Sequence, residues 1–479
     1  VSATAPIDAR LEALRAALRD GPNAVLEAPP GAGKTTRVPL ALLDEPWAAD
    51  GRIVMLEPRR LAARAAAARM AETLGEAVGG RVGYRIRGEA KVSRRTRIEV
   101  VTEGVLTRRV VDDPALEGVA AVIFDEIHER SIHADLALAL CLEAQGALRP
   151  DLRLLAMSAT LDAGAVAALM GDAPAIRAEG RAFPVETRWR DAPLGPGADR
   201  AAAAAEAALE ALAATEGDVL VFLPGAAEIR RAAAALAPRL PPETTVRELH
   251  GAAPFAAQRA ALAPCPPGRR KVVLSTAVAE TSLTVEGVRA VVDSGLARRA
   301  RFDPGSGMSR LATERASRAE AEQRRGRAGR VAPGLCLRLW TKGEEGGARA
   351  YAPPEIMVAD LAPLALDLAV WGAADPAALA FLDPPPAAAY AEARALLTEL
   401  GALDAAGRVT AHGRAMATAP LHPRLAHMAL AAPDTERATA VALAALLEGR
   451  DPRLGAGADV APRLLALAEG ADGTAALRA

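Results

Sequence analysis

Only four of the 58 basic residues are lysine, namely Lys34, Lys91, Lys271 and Lys342, so a lysine in a glycine-rich loop is a chemical signal. One stands in Ala28-Pro-Pro-Gly-Ala-Gly-Lys-Thr35, between a short apolar run and a helical pattern. Backbone amides around Gly31, Ala32, Gly33 and Thr36, at a helix N-terminus, would face a polyphosphate. Lys34 would reach its β and γ phosphates and Thr35 would hold Mg²⁺. The first position of the GxxxxGK[ST] pattern is Ala28 in place of glycine. Further on, Ala120-Ala-Val-Ile-Phe124 reads as a buried strand that delivers Asp125-Glu-Ile-His-Glu-Arg130 at its C-terminal end. Ligands of open α/β sheets bind at that end. Asp125 is placed to hold Mg²⁺ through water, Glu126 to orient and deprotonate an attacking water, and His128 to form a polar link to a second lobe. Taken alone, the charge cluster would serve as well as a solvated helix start. Paired with the loop at Lys34, it reads as the hydrolytic half of a nucleotide site.

A third element, Gln323-Arg-Arg-Gly-Arg-Ala-Gly-Arg330, puts four arginines in eight residues. Glycine inside a helix costs about 1 kcal/mol, so Gly326 and Gly329 call for a reason such as close backbone approach. Arginines presented from a second lobe toward a nucleotide on the first would neutralise charge in phosphoryl transfer, which couples hydrolysis to lobe closure.

Positioning these groups requires parallel sheets. Apolar runs alternate with Ala-rich helical stretches to about residue 340, the pattern of an α/β fold. The runs 23–28, 52–57, 97–101, 120–124 and 152–157 form one set of strands. The runs 185–189, 218–223, 244–249, 270–274, 288–292 and 335–340 form a second. Gly180-Arg-Ala-Phe-Pro184 is a turn-rich join, so lobes at 1–180 and 181–346 are expected. Beyond Gly346 the pattern changes to helices punctuated by proline. Gly401 should stop one of them before a short strand and turn, as in a small helical domain with a β wing.

At 479 residues the chain is long enough for several domains, with 51% apolar and 24% charged residues and a net charge of -1. A histone-like basic protein, an acidic tail and a disulfide miniprotein are excluded. Cys141, Cys265 and Cys336 lie far apart, with no metal-ligand spacing. No apolar run is long enough for a transmembrane segment and the first residues do not read as a signal peptide, so a cytoplasmic location is expected.

These motifs, in this order, resemble the DEAH/RHA group of superfamily 2 helicases. Ala28 to Thr36 is similar to motif I, Glu57-Pro-Arg-Arg-Leu-Ala-Ala63 to Ia, Val101-Thr-Glu-Gly-Val-Leu106 to Ib and Asp125-Glu-Ile-His128 to II. Ser158-Ala-Thr160, Val221-Phe-Leu-Pro-Gly225, Ser275 to Thr284 and Gln323 to Arg330 are similar to motifs III to VI. The resemblance implies two tandem RecA-like P-loop NTPase lobes, a winged-helix domain at 347–408 and the start of a helical ratchet-like domain at 409–479. It implies ATP, other nucleoside triphosphates and Mg²⁺ as ligands, and single-stranded RNA or DNA as partner. In that scheme Gln323 contacts the γ-phosphate or water, and Arg327 and Arg330 are arginine fingers. Arg69 lies against the adenine. Arg59 or Arg60, Thr102 and Thr276 grip successive phosphates, with Arg87 a further hook. Ser158 and Thr160 couple hydrolysis to lobe movement.

Three positions depart from the family pattern: Ala277 where Asn is usual, Ile127 where Ala is usual, and no aromatic around Gln258 to Ala263, where Leu262 is the nearest apolar residue to face a base. Loose base selectivity follows. Asp303-Pro-Gly-Ser-Gly307 is a strong turn signal between two short runs, where the family places a strand-separating hairpin. The resemblance implies further C-terminal domains beyond residue 479, so a truncated or partial sequence is expected. The implied activity is an ATP-dependent 3′ to 5′ helicase or translocase, with RNA ahead of DNA. The alternative is a nucleotide-driven switch that docks to a protein and does not unwind.

Overall fold

The computed structural model describes residues 5–29, 31–159, 163–180, 183–195, 197–280, 283–449 and 457–468. Its first sheet contains β1 (Asn23–Glu27), β2 (Arg52–Glu57), β3 (Val82–Ile86), β4 (Glu89–Lys91), β5 (Ile98–Thr102), β6 (Val119–Phe124), β7 (Arg153–Ser158) and β8 (Ala175–Arg177). They lie in the order β4-β3-β5-β2-β6-β7-β1-β8, and only the β3–β4 pair is antiparallel among them. The central strands are apolar without alternation because helices cover both faces, and all six residues of β6 are buried. The second sheet contains β9 (Val185–Trp189), β10 (Asp218–Phe222), β11 (Thr244–Leu249), β12 (Arg270–Ser275), β13 (Val288–Asp293) and, after a hairpin described next, β16 (Gly334–Arg338). Its order is β11-β12-β10-β13-β16-β9 and every pair is parallel. Both are RecA-like α/β lobes.

Each strand expected from the apolar runs is present to within two residues. Three that were not expected are β3, β4 and β8. The first carries Gly83 and Arg85 amid its apolar residues, and the other two are three-residue edge strands, too short for a period-2 signal.

Between β13 and β16 the chain leaves the sheet as an antiparallel hairpin of β14 (Leu296–Asp303) and β15 (Met308–Arg315). The Asp303 carboxylate accepts from the Ser306 hydroxyl at 2.9 Å and the Gly305 amide at 3.1 Å, and Gly307 takes φ +64°. That is the turn the Asp-Pro-Gly-Ser-Gly run dictates.

The C-terminal part is helical: Ala362–Trp371, Ala387–Glu399, Ala411–Thr418, Pro423–Ala431, Arg437–Glu448 and Ala461–Ala468. Gly401, at φ +69°, ends the second of these, and the expected short strand is reduced to a single bridge between Leu403 and Val409. The first of these helices share their core with the first lobe. Leu364, Leu368, Leu397 and Met416 belong to one buried cluster with Leu106, Val110, Leu136 and Leu140 of the first lobe. The seam is also polar. Arg130 pairs with Asp383 at 2.7 Å, Glu355 accepts from the Ile132 amide at 2.9 Å, and Trp371 donates to Glu143 at 2.6 Å.

Candidate active site and basic groove

The loop after β1 turns on two left-handed glycines, Gly31 (φ +85°) and Gly33 (φ +92°), and opens the helix Lys34–Leu42. The polar cluster forms under this helix start, where β6 ends one strand away from β1 and next to β2. Lys34 Nζ lies 2.9 Å from Glu126 Oε1 and 4.0 Å from Asp125 Oδ1. Thr35 Oγ1 donates to Asp125 Oδ2 at 2.5 Å, and the Glu126 amide donates to Asp125 Oδ1 at 2.9 Å. Glu126 itself sits at φ +54°, a left-handed conformation worth about 1–3 kcal/mol of strain for a non-glycine residue. The strand-to-helix corner holds it there and aims its carboxylate at Lys34.

Burial disfavours the ionised form of every carboxyl here and so raises its pKa, and the charges decide where each ends. Burial pushes Asp125 up, against the pull of Lys34. For Glu126, burial is outweighed by Lys34 and then His128, which hold its carboxyl below the usual carboxylate range. Burial opposes the Lys34 charge, yet Glu126 and Asp125 raise it overall. His128 Nε2 stands 3.4 Å from Glu126 Oε2, while its Nδ1 accepts from the Ala159 amide at 3.3 Å. The histidine expected to link to a second lobe thus ties the β6 corner to the segment after Ser158, the buried last residue of β7. Thr160 lies outside the described residues.

The second lobe closes the cleft. Arg330 packs its side chain above Gly31 and donates to Thr284 Oγ1 at 2.9 Å. A cavity of about 570 Å³ between the lobes is lined by Gly31, Gly33, Lys34, Thr35, Thr36, Arg69, Glu126, Leu262, Thr284 and Arg330. Arg69, paired with Glu72 at 3.2 Å, and Leu262 both belong to this lining. Ala32 is buried beneath the loop and its carbonyl accepts from Ile7. Arg327 is buried and donates to the carbonyls of Glu280 (3.0 Å) and Leu283 (2.7 Å). Gln323 is buried in the helix Arg318–Gly326 and does not line the cavity.

Of the two glycines in this segment, one has the predicted close approach. A Cβ on Gly329 would lie 2.5 Å from the Phe183 carbonyl oxygen, so the segment leading into β9 and the arginine segment meet backbone to backbone. Gly326 has nothing within 4 Å of such a Cβ and simply ends its helix.

Five residues were expected on nucleic acid. Arg60, Arg87 and Thr102 line one groove of about 880 Å³ between the first lobe and the C-terminal helices, with Arg85, Arg108 and Arg109 beside them. Arg87 donates to the Pro420 carbonyl at 2.8 Å. Arg59 is turned away, pairing with Glu129 at 3.0 Å and donating to the Val278 carbonyl of the second lobe at 3.4 Å. The nearby acid captures it. Thr276 directly follows β12 in the second lobe and does not line the groove.

Sequence reasoning missed Glu57. It ends β2 fully buried, and neither carboxyl oxygen has a hydrogen-bond partner. Burial, then Asp125 and Glu126, push its carboxyl well above the usual range. The signal was an acid at the end of an otherwise apolar run. Hard oxygens from Thr35 and Asp125, with the unsatisfied Glu57 and Glu126 oxygens near them, suit Mg²⁺, which needs one or two carboxylates beside phosphates and water. No cluster of three or more metal-ligating residues of the His, Cys, Asp and Glu types occurs among the described residues.

Comparison with known proteins agrees with this geometry. Residues 8–169 match the DEAD/DEAH box helicase family and residues 203–332 the helicase conserved C-terminal domain. The chain is 48% identical over 451 residues to the ATP-dependent RNA helicase HrpB of Escherichia coli, across 94% of this chain and 55% of that protein. It is 39% identical over 404 residues to the pre-mRNA-splicing factor ATP-dependent RNA helicase prp22 of Schizosaccharomyces pombe, across 82% and 34% of the two chains. A crystal structure of the E. coli DEAH/RHA helicase HrpB superposes with a TM-score of 0.89 at 46% identity, covering 99% of this chain and 61% of that one. A second HrpB crystal structure gives 0.86 at 47% identity, covering 97% and 57%. The chain spans about half the length, or less, of these curated relatives. With both conserved lobes in order and the phosphate loop, Asp-Glu-Ile-His corner and arginine segment on one cleft, the chain belongs to the DEAD/DEAH-box helicase family.

Proposed function

We propose that this chain is an ATP-dependent, RNA-directed motor that moves 3′ to 5′ along a single strand. The observation that carries this reading is the composite cleft, in which Lys34 and Glu126 of one lobe face Arg330 of the other. A triphosphate entering there displaces Lys34 from Glu126 and frees that carboxylate to polarise and deprotonate the attacking water. In its pair with Lys34 the low proton affinity of Glu126 keeps it ionised, and once parted from Lys34 it can take the proton of the water, which is released as the lobes reopen. Mg²⁺ held by Thr35 and Asp125 would neutralise the phosphate oxygens. Arg330, and behind it Arg327, stabilise charge on the leaving diphosphate only when the lobes are closed. Leu262 and Arg69 would give the base an apolar face and a cation, and other nucleoside triphosphates should serve as well.

The strand lies in the groove of Arg60, Arg87 and Thr102, whose contacts are to phosphates and therefore carry no sequence information. Residues 1–180 and 181–346 act as the two lobes, 347–408 as a winged-helix unit and 409–479 as the start of a ratchet-like domain. The free thiols of Cys141, Cys265 and Cys336 suit a cytoplasmic setting.

The test is steady-state ATP hydrolysis without nucleic acid, with single-stranded RNA and with single-stranded DNA, alongside Glu126→Gln. Stimulation by RNA, absent in the variant, is expected. Healthy basal turnover with no response to either strand would overturn the motor in favour of a protein-docked switch.

A further inference from the structure

A second basic cavity lies apart from both the nucleotide cleft and the groove. It has a volume of about 580 Å³, between one side of the β14–β15 hairpin and the strap that leads from the second lobe to the C-terminal helices. Arg299, Arg301 and Arg315 enter from the hairpin, Arg349 and Tyr351 from the strap, and Glu314 is the one acid in its lining. The acids on hand leave the positive charge incompletely neutralised. Glu314 holds Arg301 through both Nε and Nη2 at 2.5 Å and also reaches Arg299 at 3.7 Å. Glu320 pairs with Arg299, and Glu344 with Arg315 at 2.8 Å. Arg301 Nη1 is buried with no hydrogen-bond partner, and Arg349 forms no ion pair among the described residues. Tyr351 is 66% exposed at the rim.

A buried guanidinium nitrogen left without an acceptor is costly, and here a ligand oxygen can satisfy it. Guanidiniums in this number favour phosphate, which they bind through paired N–H donors, and an exposed tyrosine beside them offers a face for a base to stack on. A cavity of this size holds one nucleotide unit of a strand. The hairpin joins the two basic sites physically. Its turn at Gly307 abuts the Arg424 guanidinium in the helix Pro423–Ala431, whose first residue lines the groove, while its base forms this cavity.

We propose that the cavity is a second phosphate site, which receives the strand of a duplex that does not enter the groove. The inference rests on the nucleic-acid reading given above. The phosphate chemistry is shared with free nucleotides and polyphosphate, so the test separates those sources.

Binding is measured by fluorescence anisotropy on two duplexes with the same 3′ tail, one blunt at the opposite strand and one carrying an unpaired 5′ flap. A photoreactive flap supplies the second readout. The flap should tighten binding several-fold and crosslink to the strap near Arg349. Arg349→Glu, at a position with no ion pair to break, should erase that gain while the affinity for the blunt substrate and RNA-stimulated hydrolysis stay unchanged. No gain from the flap in the unsubstituted protein would overturn the proposal, as would a gain that survives Arg349→Glu with no crosslink. Loss of the gain on adding millimolar tripolyphosphate, without a flap crosslink, would assign the cavity to a free polyphosphate instead. If RNA fails to stimulate hydrolysis but the flap still crosslinks to the strap, the site stands and the motor reading falls.

Discussion

Lys34 Nζ rests 2.9 Å from Glu126 Oε1, so the loop lysine and the carboxylate proposed to activate water form one buried ion pair. On the proposed function, a bound triphosphate would exchange this buried ion pair for one between Lys34 and phosphate. Glu126→Gln removes the competing charge, and nucleotide should bind as tightly as before or several-fold more tightly. Turnover should fall by about 10²–10⁴-fold, since general-base catalysis is lost. Equilibrium binding of a fluorescent ATP analogue beside steady-state hydrolysis checks both halves. Full turnover in the variant would remove Glu126 from the role of base.

The two arginines expected to reach across the cleft should separate by stability. Among the described residues Arg330 donates to the Thr284 hydroxyl at the cavity wall, whereas Arg327 is buried against two backbone carbonyls. Arg330→Ala should cost turnover, toward the 10³-fold or so typical of such arginines, with little change in melting temperature. Arg327→Ala should lose turnover and several degrees together, because the Glu280 and Leu283 carbonyls lose their donor. Thermal melts of both variants decide this.

Gly329 and Gly326, three residues apart, give opposite expectations for the same substitution. Gly329→Ala forces a methyl group to within 2.5 Å of the Phe183 oxygen and should destabilise by about 1–3 kcal/mol. Gly326→Ala meets open space at φ -58° and should be neutral or stabilising by up to about 1 kcal/mol. Equal melting temperatures would contradict the packing described for this segment.

Glu280 yields a pH dependence. Burial raises its carboxyl to about 7, with Arg324 pulling the other way. The folded state thus holds a proton that the unfolded chain has released, and stability is fully present below about 4.5, the unfolded value, and declines as pH rises through about 7. Denaturant titrations from pH 5 to 8 should show a shallower fall in Glu280→Gln than in the unsubstituted protein. An unchanged slope would mean that another group carries the effect.

The sheet strands were legible because burial on two faces leaves a run of apolar residues that nothing else explains. The meeting of Lys34, Thr35, Asp125 and Glu126 was legible because phosphate chemistry needs particular residues at fixed spacing, and the fold brings these four together. The groove was harder. Arg59 and Arg60 are indistinguishable by type, and only the fold shows that Glu129 captures the first while the second faces the groove. Glu57 gave a weak sign, since an acid ending a strand is ordinarily solvated. Least visible was the shared core of the first lobe and the C-terminal helices, because an apolar helix face does not say which distant segment will cover it.

That shared core bears on how the chain is made. Leu106, Val110, Leu136 and Leu140 wait for partners that follow the whole second lobe in the chain. At a synthesis rate of roughly 5–20 residues per second, the first lobe spends many seconds with an uncovered greasy flank. Its nascent form should be a strong client for holding chaperones, and release should track the emergence of the helix Ala362–Trp371 from the ribosome.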